Sequence, residues 1–177
     1  GGAGGLILRP SLQLANGPHT IVVGSGGNGT NDQNGVNPGK GGNSSAFGLT
    51  AVGGGRGLNG DSTFASSSND GGSGGGGDGE NSGTTRGEAE QRSQSGESGQ
   101  YGHGHHGGSR NNAGGGGGGG AGEPGMTGSG LTNEVGGEGG NGIFQVVDPP
   151  NYPGIWNFAD MFGSAYGQSS GGEYWFA

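Results

Sequence analysis

Apolar residues along this chain collect into five short runs, and glycine-rich sequence separates each run from the next. The runs are GLILRPSLQL (Gly5 to Leu14), HTIVV (His19 to Val23), AFGLTAV (Ala46 to Val52), IFQVV (Ile143 to Val147) and EYWFA (Glu173 to Ala177). Short apolar runs bounded by glycine are typical of β-strands. The ANGP sequence between the first two runs predicts a β-hairpin. The spacing of Phe47 and Leu49 predicts a single strand in the third run.

A different spacing occurs near the C-terminus, after three prolines that disfavour regular structure at its entrance. Apolar residues follow at positions i, i+3, i+4 and i+7, which predicts one short helix with Gly163 as its C-terminal cap. These residues are Ile155, Phe158, Ala159 and Phe162. The surrounding segment holds both tryptophans of the chain. Aromatic residues at this density form either a small core or a contact surface, because they bury a large area in both roles.

Glycine itself recurs with a period of three residues. In GGGGGGGAGEPGMTGSG, which starts at Gly114, five glycines keep this period: Gly116, Gly119, Gly122, Gly125 and Gly128. Shorter tracts keep the same spacing, among them GSGGNG from Gly24 and GGEGGNG from Gly136. Three residues per turn is the period of the polyproline-II conformation, which has no internal hydrogen bonds. Its peptide groups must therefore find partners on neighbouring strands, and only glycine allows such strands to approach closely.

This pattern predicts a bundle of extended glycine helices, with the all-glycine tract in the centre and the mixed tracts around it. Ordering glycine costs more backbone entropy than ordering any other residue, so the bundle needs a clamp at its ends. The short apolar runs are the candidate clamp. The alternative is a flexible glycine- and serine-rich linker, for which the 24% hydrophobic content is also suitable.

Charge and composition remove several classes of function. The chain has 14 acidic and 6 basic residues, a net charge of −8, and Lys40 as its only lysine. Nucleic acid is therefore not an expected partner, because phosphate binding needs dense lysine and arginine. No apolar stretch approaches the length of a membrane span, so membrane insertion is not expected. The chain has no cysteine, which excludes disulfides and thiolate metal sites.

Motifs for enzymatic chemistry are incomplete, and we expect no enzyme and no cofactor. YGHGHHGG places His103, His105 and His106 close together, which is compatible with a zinc or nickel site. No carboxylate stands at ligand spacing, so an exposed loop without metal is the simpler interpretation. SGGGGD, from Ser73, is a single imperfect copy of a calcium-binding repeat. Gly24, Gly26 and Gly29 match a dinucleotide fingerprint, but the sequence after them cannot form the required helix.

The order of these motifs resembles the glycine-rich domain of phage tail-fibre and related virion proteins, notably those of marine phages. The resemblance rests on GPHTIVVGSGGNG, then GKGGNSSAFGLTAVGGGRG, then the successive glycine tracts, and it covers Gly1 to Gly142. It implies a bundle of polyglycine-II helices with little regular secondary structure, capped by a few short β-strands. In the related tip adhesins of some T-even-like phages, loops from the bundle bind the bacterial receptor. Springtail antifreeze proteins use the same helix type, but their regular triplets and disulfides are missing here.

The resemblance suggests three segments. Residues 1–147 form the glycine-rich domain, residues 148–170 are an insertion rich in proline and aromatic residues, and residues 171–177 lead into a further, truncated glycine-rich block. The chain starts with Gly1 inside a glycine tract, so we expect it to be part of a larger virion or extracellular protein.

On this basis we expect an adhesin module that displays loops to a receptor on the host cell, either an outer-membrane protein or a glycan. Other virion or filament subunits are expected partners, and an oligomer is possible. The alternative is a purely structural virion or filament subunit that binds no receptor. The residues expected to contact a receptor are Tyr101, His103, His105, His106, Arg110, Asp61, Phe64, Trp156, Phe158 and Tyr166.

Overall fold

The computed structural model describes most of the chain. The described residues are 1–29, 38–57, 69–77, 86–111, 114–129, 135–143, 145–147, 151, 153–162, 168–170 and 173–175.

Regular secondary structure is sparse in the described part, as the sequence predicts. The strands are β1 (Leu6–Ile7), β2 (Ile21–Val22), β3 (Ser44–Ala46), β4 (Leu49–Ala51), β5 (Gly102–His103), β6 (Gln145–Val147), β7 (Ile155–Asn157), β8 (Gln168–Ser170) and β9 (Glu173–Trp175). They pair in small antiparallel sheets: β1 with β5, β2 with β3 and β4, β6 with β7, and β8 with β9. The fold must therefore be held together largely by contacts outside these sheets.

The predicted hairpin between the first two apolar runs is wrong. Leu6 of β1 pairs with His103 of β5, and Ile21 of β2 pairs with Ala46 of β3. Both partners are distant in sequence, so the ANGP turn does not set the pairing. Each run pairs with a strand that the fold brings beside it. Local turn signals cannot indicate which strand that is.

The prediction of one continuous strand from Ala46 to Val52 is also wrong. Phe47 and Gly48 have φ angles of 54° and 78°, which places both in the left-handed region. The chain reverses there, and Ala46 of β3 pairs with Leu49 of β4. Glycine adopts this backbone conformation without strain, so Gly48 is the local signal for the turn.

The C-terminal helix exists but is shorter than predicted. Helix α2 spans Phe158–Phe162, and the residues before it, Ile155–Asn157, form β7 instead. The Asn157 side chain accepts a 2.9 Å hydrogen bond from the backbone N–H of Ala159, which is the geometry of a helix N-cap. This cap fixes the helix start three residues later than the apolar spacing suggested. The predicted cap Gly163 lies outside the described residues.

A second short helix, α1, spans Glu97–Gln100 and follows a single 3₁₀ turn, Gln91–Ser93. Gln91 is fully buried and joins these elements to the sheets. Its side-chain amide donates to the carbonyls of Thr50 and Ser98 at 3.1 and 2.8 Å, and its side-chain oxygen accepts the N–H of Val52 at 2.7 Å. One polar side chain thus joins the 3₁₀ turn, α1 and the end of β4 through three hydrogen bonds.

The small apolar core forms where the C-terminal segment meets the N-terminal one. Leu8, Val146 and Phe158 are buried together. Leu6, Ile143 and Trp156 pack against them and are partly buried. The segment after residue 147 therefore shares its core with the glycine-rich part of the chain.

Between the sheets, the glycine tracts run alongside one another and exchange backbone hydrogen bonds. The tract of residues 114–122 receives or donates such bonds from five segments of the described chain. These segments are 1–5, 71–77, 104–111, 123–129 and 135–142. The all-glycine tract is thus surrounded by other tracts, which is the central place that its composition predicts.

These hydrogen bonds repeat every three residues. Gly116 and Gly119 donate to Gly77 and Gly74 at 2.8 and 2.9 Å. The next positions, Gly117 and Gly120, donate to Met126 and Glu123 at 2.9 and 3.0 Å. The carbonyls of Gly115 and Gly118, the residues just before the first pair of donors, each accept a 2.8 Å hydrogen bond from segment 135–142. Residues three apart therefore share one neighbouring segment, and successive residues contact different ones.

Close approach explains the glycine at these positions. A Cβ atom built on any of the five glycines in the predicted register would lie less than 3.0 Å from backbone atoms of a neighbouring segment. These are Gly116, Gly119, Gly122, Gly125 and Gly128. In the outer segment, residues 135–142, only some glycines are required. A Cβ on Gly140 would overlap the Glu123 carbonyl, whereas a Cβ on Gly139 would come no closer than 3.8 Å to any neighbour. Glycine is thus required on the face that contacts the next tract.

Candidate functional site

A pocket of about 330 Å³ opens where the end of the central tract meets the C-terminal strands. Its polar and aromatic lining comes from separate segments of the chain: Arg92, His103, His105, Glu123, Gln145 and Trp175. Ala121, Ile143 and Val146 supply the apolar part of the wall. The volume lies at the lower end of the roughly 300–1,000 Å³ of small-molecule sites.

The strands and tracts position the two histidines of this pocket. His103 lies on β5, where pairing with Leu6 of β1 fixes its backbone. His105 follows in the adjoining tract, and its N–H and carbonyl bond to Gly120 and Gly74 at 3.1 and 3.0 Å. Both imidazoles are thus carried on backbone that is held on two sides. No hydrogen bond to either ring is formed within the described part of the chain.

The environment keeps both histidines uncharged near neutral pH. Burial, followed by the positive charges of Arg92 and His105, lowers the pKa of His103 to about 4. Burial also lowers the pKa of His105, as do Arg92 and His106, while Glu123 acts in the opposite direction. A neutral imidazole has one donor nitrogen and one acceptor nitrogen. The pocket therefore offers both kinds of hydrogen-bonding group at each ring.

The charged groups of the pocket are one cation and one anion. Glu123 interrupts the glycine tract, and its carboxylate accepts a 2.8 Å hydrogen bond from the Asn141 side chain, which fixes its position. Arg92 is exposed at the 3₁₀ turn, and its side chain makes no salt bridge with another described residue. The pocket thus carries no net charge of its own while the histidines are neutral.

The structure does not place Tyr101 on the exposed loop that the sequence suggested. Tyr101 is 2% exposed. Its ring lies under Arg9, with the guanidinium carbon 4.6 Å from the ring centroid, and Arg9 also forms a 2.9 Å salt bridge with Glu97. The expectation of an exposed Tyr101 is therefore corrected, because the ring is used to pack α1 against the N-terminal segment.

The aromatic residues of the C-terminal segment divide in the same way. Phe158 is 1% exposed and belongs to the core, so it is not presented to a partner. Trp156 is partly buried and packs against this core. Of the two roles that the aromatic density allowed, the core role describes these two residues.

The other predicted contact residues lie apart from the pocket or outside the described part. His106 is half-buried, with its Nδ1 at 2.9 Å from the Gly107 carbonyl oxygen. Arg110 is half-buried and does not line the pocket. Asp61, Phe64 and Tyr166 lie outside the described residues.

Sequence reasoning missed four lining residues of the pocket: Arg92, Glu123, Gln145 and Trp175. Gln145 and Trp175 lie within apolar runs and Glu123 follows the all-glycine tract, whereas no local pattern marks Arg92. Glu123 is the clearest example, because it is the first charged residue after the all-glycine tract, and the three-residue glycine period continues past it at Gly125. Long-range pairing brings them together, and no local pattern encodes that pairing.

Within the described residues, no three histidine, cysteine, aspartate or glutamate side chains are grouped closely enough to hold a metal ion. Among the same residues, no helix has the length and apolar character needed to cross a membrane.

Comparison with protein-family models, curated proteins and solved structures gave no match.

Proposed function

We propose that the glycine tracts form a polyglycine-II bundle and that this bundle is the scaffold of a virion adhesin. The three-residue repeat of the hydrogen bonds supports the first part, because it is the period of polyproline-II-type helices. The backbone atoms that surround each buried glycine support it further, since such helices pack without side chains between them.

The pocket is the observation that carries the adhesin proposal. Because the glycine tracts pack through backbone atoms, side chains that can contact a ligand occur only where the tracts are interrupted or end. At one such place, imidazole, guanidinium, carboxylate, amide and indole groups converge on one opening. Convergent polar groups in a concave site are typical of ligand recognition. We therefore assign host-surface recognition to the pocket rather than to the buried Tyr101 and Phe158.

A structural virion or filament subunit is the second candidate, and a different surface favours it. A depression of about 370 Å³ lies between β1 and the three-stranded sheet, with a largely apolar lining. Its rim includes the residues Ile21, Val22 and Val23, which are 64%, 48% and 83% exposed. Exposed apolar surface on a strand at a sheet edge is suited to contact with another subunit.

The bundle is tested by spectroscopy and proteolysis of the purified chain. A circular dichroism spectrum of polyproline-II type, together with resistance to a broad-specificity protease, is expected. A random-coil spectrum with rapid cleavage throughout the glycine tracts would establish the flexible-linker interpretation instead.

Host attachment is tested with the fluorescently labelled chain and a panel of marine and enteric Gram-negative strains. Saturable binding to at least one strain, competed by excess unlabelled chain, is the expected result. The same chain unfolded by heat serves as the control. Absence of saturable binding across the panel would remove the adhesin proposal and leave the structural subunit.

A further inference from the structure

We propose that the pocket lined by Arg92, His103, His105, Glu123, Gln145 and Trp175 binds one uncharged pyranose unit of a bacterial surface polysaccharide. The inference rests on the proposed attachment function for its biological meaning, but the binding site itself does not depend on it.

The size of the pocket sets the scale of the ligand. A volume of about 330 Å³ accommodates one sugar ring or a molecule of similar size, and the opening leaves room for a chain to continue into solvent. An extended peptide or a whole protein loop needs a longer groove. The pocket therefore fits a single unit at the end or along the side of a longer polymer.

The hydrogen-bonding groups match hydroxyls better than they match an ion. Each sugar hydroxyl can both donate and accept a hydrogen bond. The two neutral imidazoles and the Gln145 side-chain amide also each carry a donor and an acceptor. Arg92 adds donors and Glu123 adds an acceptor, so no sign of charge dominates the opening. A phosphate or carboxylate ligand would meet Glu123 with like charge and would gain only one cation, Arg92.

The remaining wall is suited to the carbon side of a sugar. Trp175 contributes an indole, and Ile143 and Val146 contribute apolar surface beside it. An aromatic face with a polar tip is suited to a ligand that is apolar on one side and polar on the other. This combination distinguishes a pyranose from a small inorganic anion, which has no apolar face.

The backbones of His103 and His105 and the carboxylate of Glu123 are held in place before any ligand arrives. β5 carries His103, the Gly74 and Gly120 hydrogen bonds hold the backbone of His105, and Asn141 holds Glu123 at 2.8 Å. Groups that are already ordered lose less conformational entropy on binding. A small ligand with few contacts can therefore bind measurably.

The test is a titration of the ¹⁵N-labelled chain with methyl glycosides of glucose, galactose, mannose and N-acetylglucosamine. The indole N–H signal of Trp175, assigned by its loss in Trp175→Phe, is the probe. At least one neutral glycoside is expected to shift it with a Kd of about 1–10 mM, an ordinary affinity for so few contacts. Galacturonic acid and inorganic phosphate are the charged comparison ligands.

Variants then locate the site. Arg92→Ala removes an exposed side chain and is expected to weaken binding about tenfold, the usual effect of losing one charge-assisted hydrogen bond. Arg86→Ala is the matched control, because Arg86 pairs with Glu88 on the surface and does not line the pocket. Glu123→Gln keeps the shape of the side chain and tests the acceptor. Equal affinities of wild type and both pocket variants would overturn the proposal.

Two outcomes separate this inference from the proposed function. If no neutral glycoside shifts Trp175, or if only the charged ligands do, the pyranose assignment is wrong even where whole cells are bound. If glycosides bind through Arg92 and Glu123 but no strain is bound, the pocket stands and the attachment function fails.

Discussion

The side-chain oxygen of Gln91 accepts a 2.7 Å hydrogen bond from the backbone N–H of Val52, which lies 39 positions earlier in the chain. Both residues are buried, and the same glutamine donates to Thr50 and Ser98. In a chain with a small apolar core, this amide joins the end of β4 to α1 through three hydrogen bonds.

Replacement of Gln91 by methionine should therefore destabilise the protein. Methionine keeps the length of the side chain but leaves the Val52 N–H and two carbonyls without their partner. The expected loss in the free energy of unfolding is about 2–4 kcal/mol, since each unsatisfied buried group costs about 1–3 kcal/mol and water can reach some of them. Urea unfolding measures it. Gln100→Met is the control, because Gln100 is exposed at the end of α1. Equal effects of the two changes would contradict the role of Gln91.

Two adjacent glycines in the outer tract should respond oppositely to alanine. A Cβ on Gly140 would overlap the Glu123 carbonyl, so Gly140→Ala should cost about 1–3 kcal/mol or more. A Cβ on Gly139 would find its nearest neighbour at 3.8 Å, so Gly139→Ala should be neutral or stabilising by about 0.4–1 kcal/mol through the unfolded state. Thermal unfolding of the two variants compares them directly. Gly27 and Gly26 offer a second pair, and a reversed order in both pairs would refute the packing.

The half-buried His103 should make the protein less stable in acid. Its pKa is about 4 in the folded state and close to 6.5 when unfolded, so between these values the unfolded state binds more protons. The contribution is complete above pH 6.5 and is lost as the pH falls toward 4. Because the ring is partly open to solvent, we expect the free energy of unfolding to fall by only about 1–2 kcal/mol over this pH range.

His103→Gln tests this dependence, since glutamine has no proton to gain. The difference in unfolding free energy between wild type and variant should change by that amount between pH 7 and pH 4.5. A difference that stays constant across this range would show that His103 does not titrate with folding. The charges of Arg92 and His105 face the same ring, so salt concentration is held fixed.

The C-terminal segment should contribute to the stability of the glycine-rich part through Phe158. Phe158 is 1% exposed and packs with Leu8, so Phe158→Ala should cost about 3–5 kcal/mol. Ile155→Ala is the control, because Ile155 is 68% exposed although both residues share the predicted apolar face. If the Phe158 change melted only local signals and left the tracts protected from hydrogen exchange, the segment would be an independent unit.

The sequence predicts the parts of this fold that depend on local spacing. The glycine register from Gly116 to Gly128 follows from period alone, because close approach leaves no space for a Cβ at those positions. The strands at residues 145–147 and 173–175 follow from short apolar runs. The failures concern partners. Leu6 pairs with His103, which lies far along the chain in the sequence, and local turn chemistry contains no information about such a pair.

The site was predictable to the same degree. His103 and His105 attract attention as clustered imidazoles, and both line the pocket. Tyr101 stands two residues before His103 and faces the interior instead, where Arg9 covers it. Glu123 and Trp175 join the histidines only through long-range packing. The type of residue was therefore readable from the sequence, while the composition of the pocket required the fold.

The three-residue repeat of the central tract also limits how its length can change. One extra glycine between Gly117 and Gly118 would give every later N–H the neighbour that belonged to the residue after it, so the donors of Gly119 and Gly120 would be misdirected. Three extra glycines would restore the alignment and move the added length into the adjoining turn. Insertions and deletions in these tracts should thus be tolerated only in multiples of three residues, because other lengths break the alignment of the hydrogen bonds. Unfolding of the two insertion variants would compare them directly.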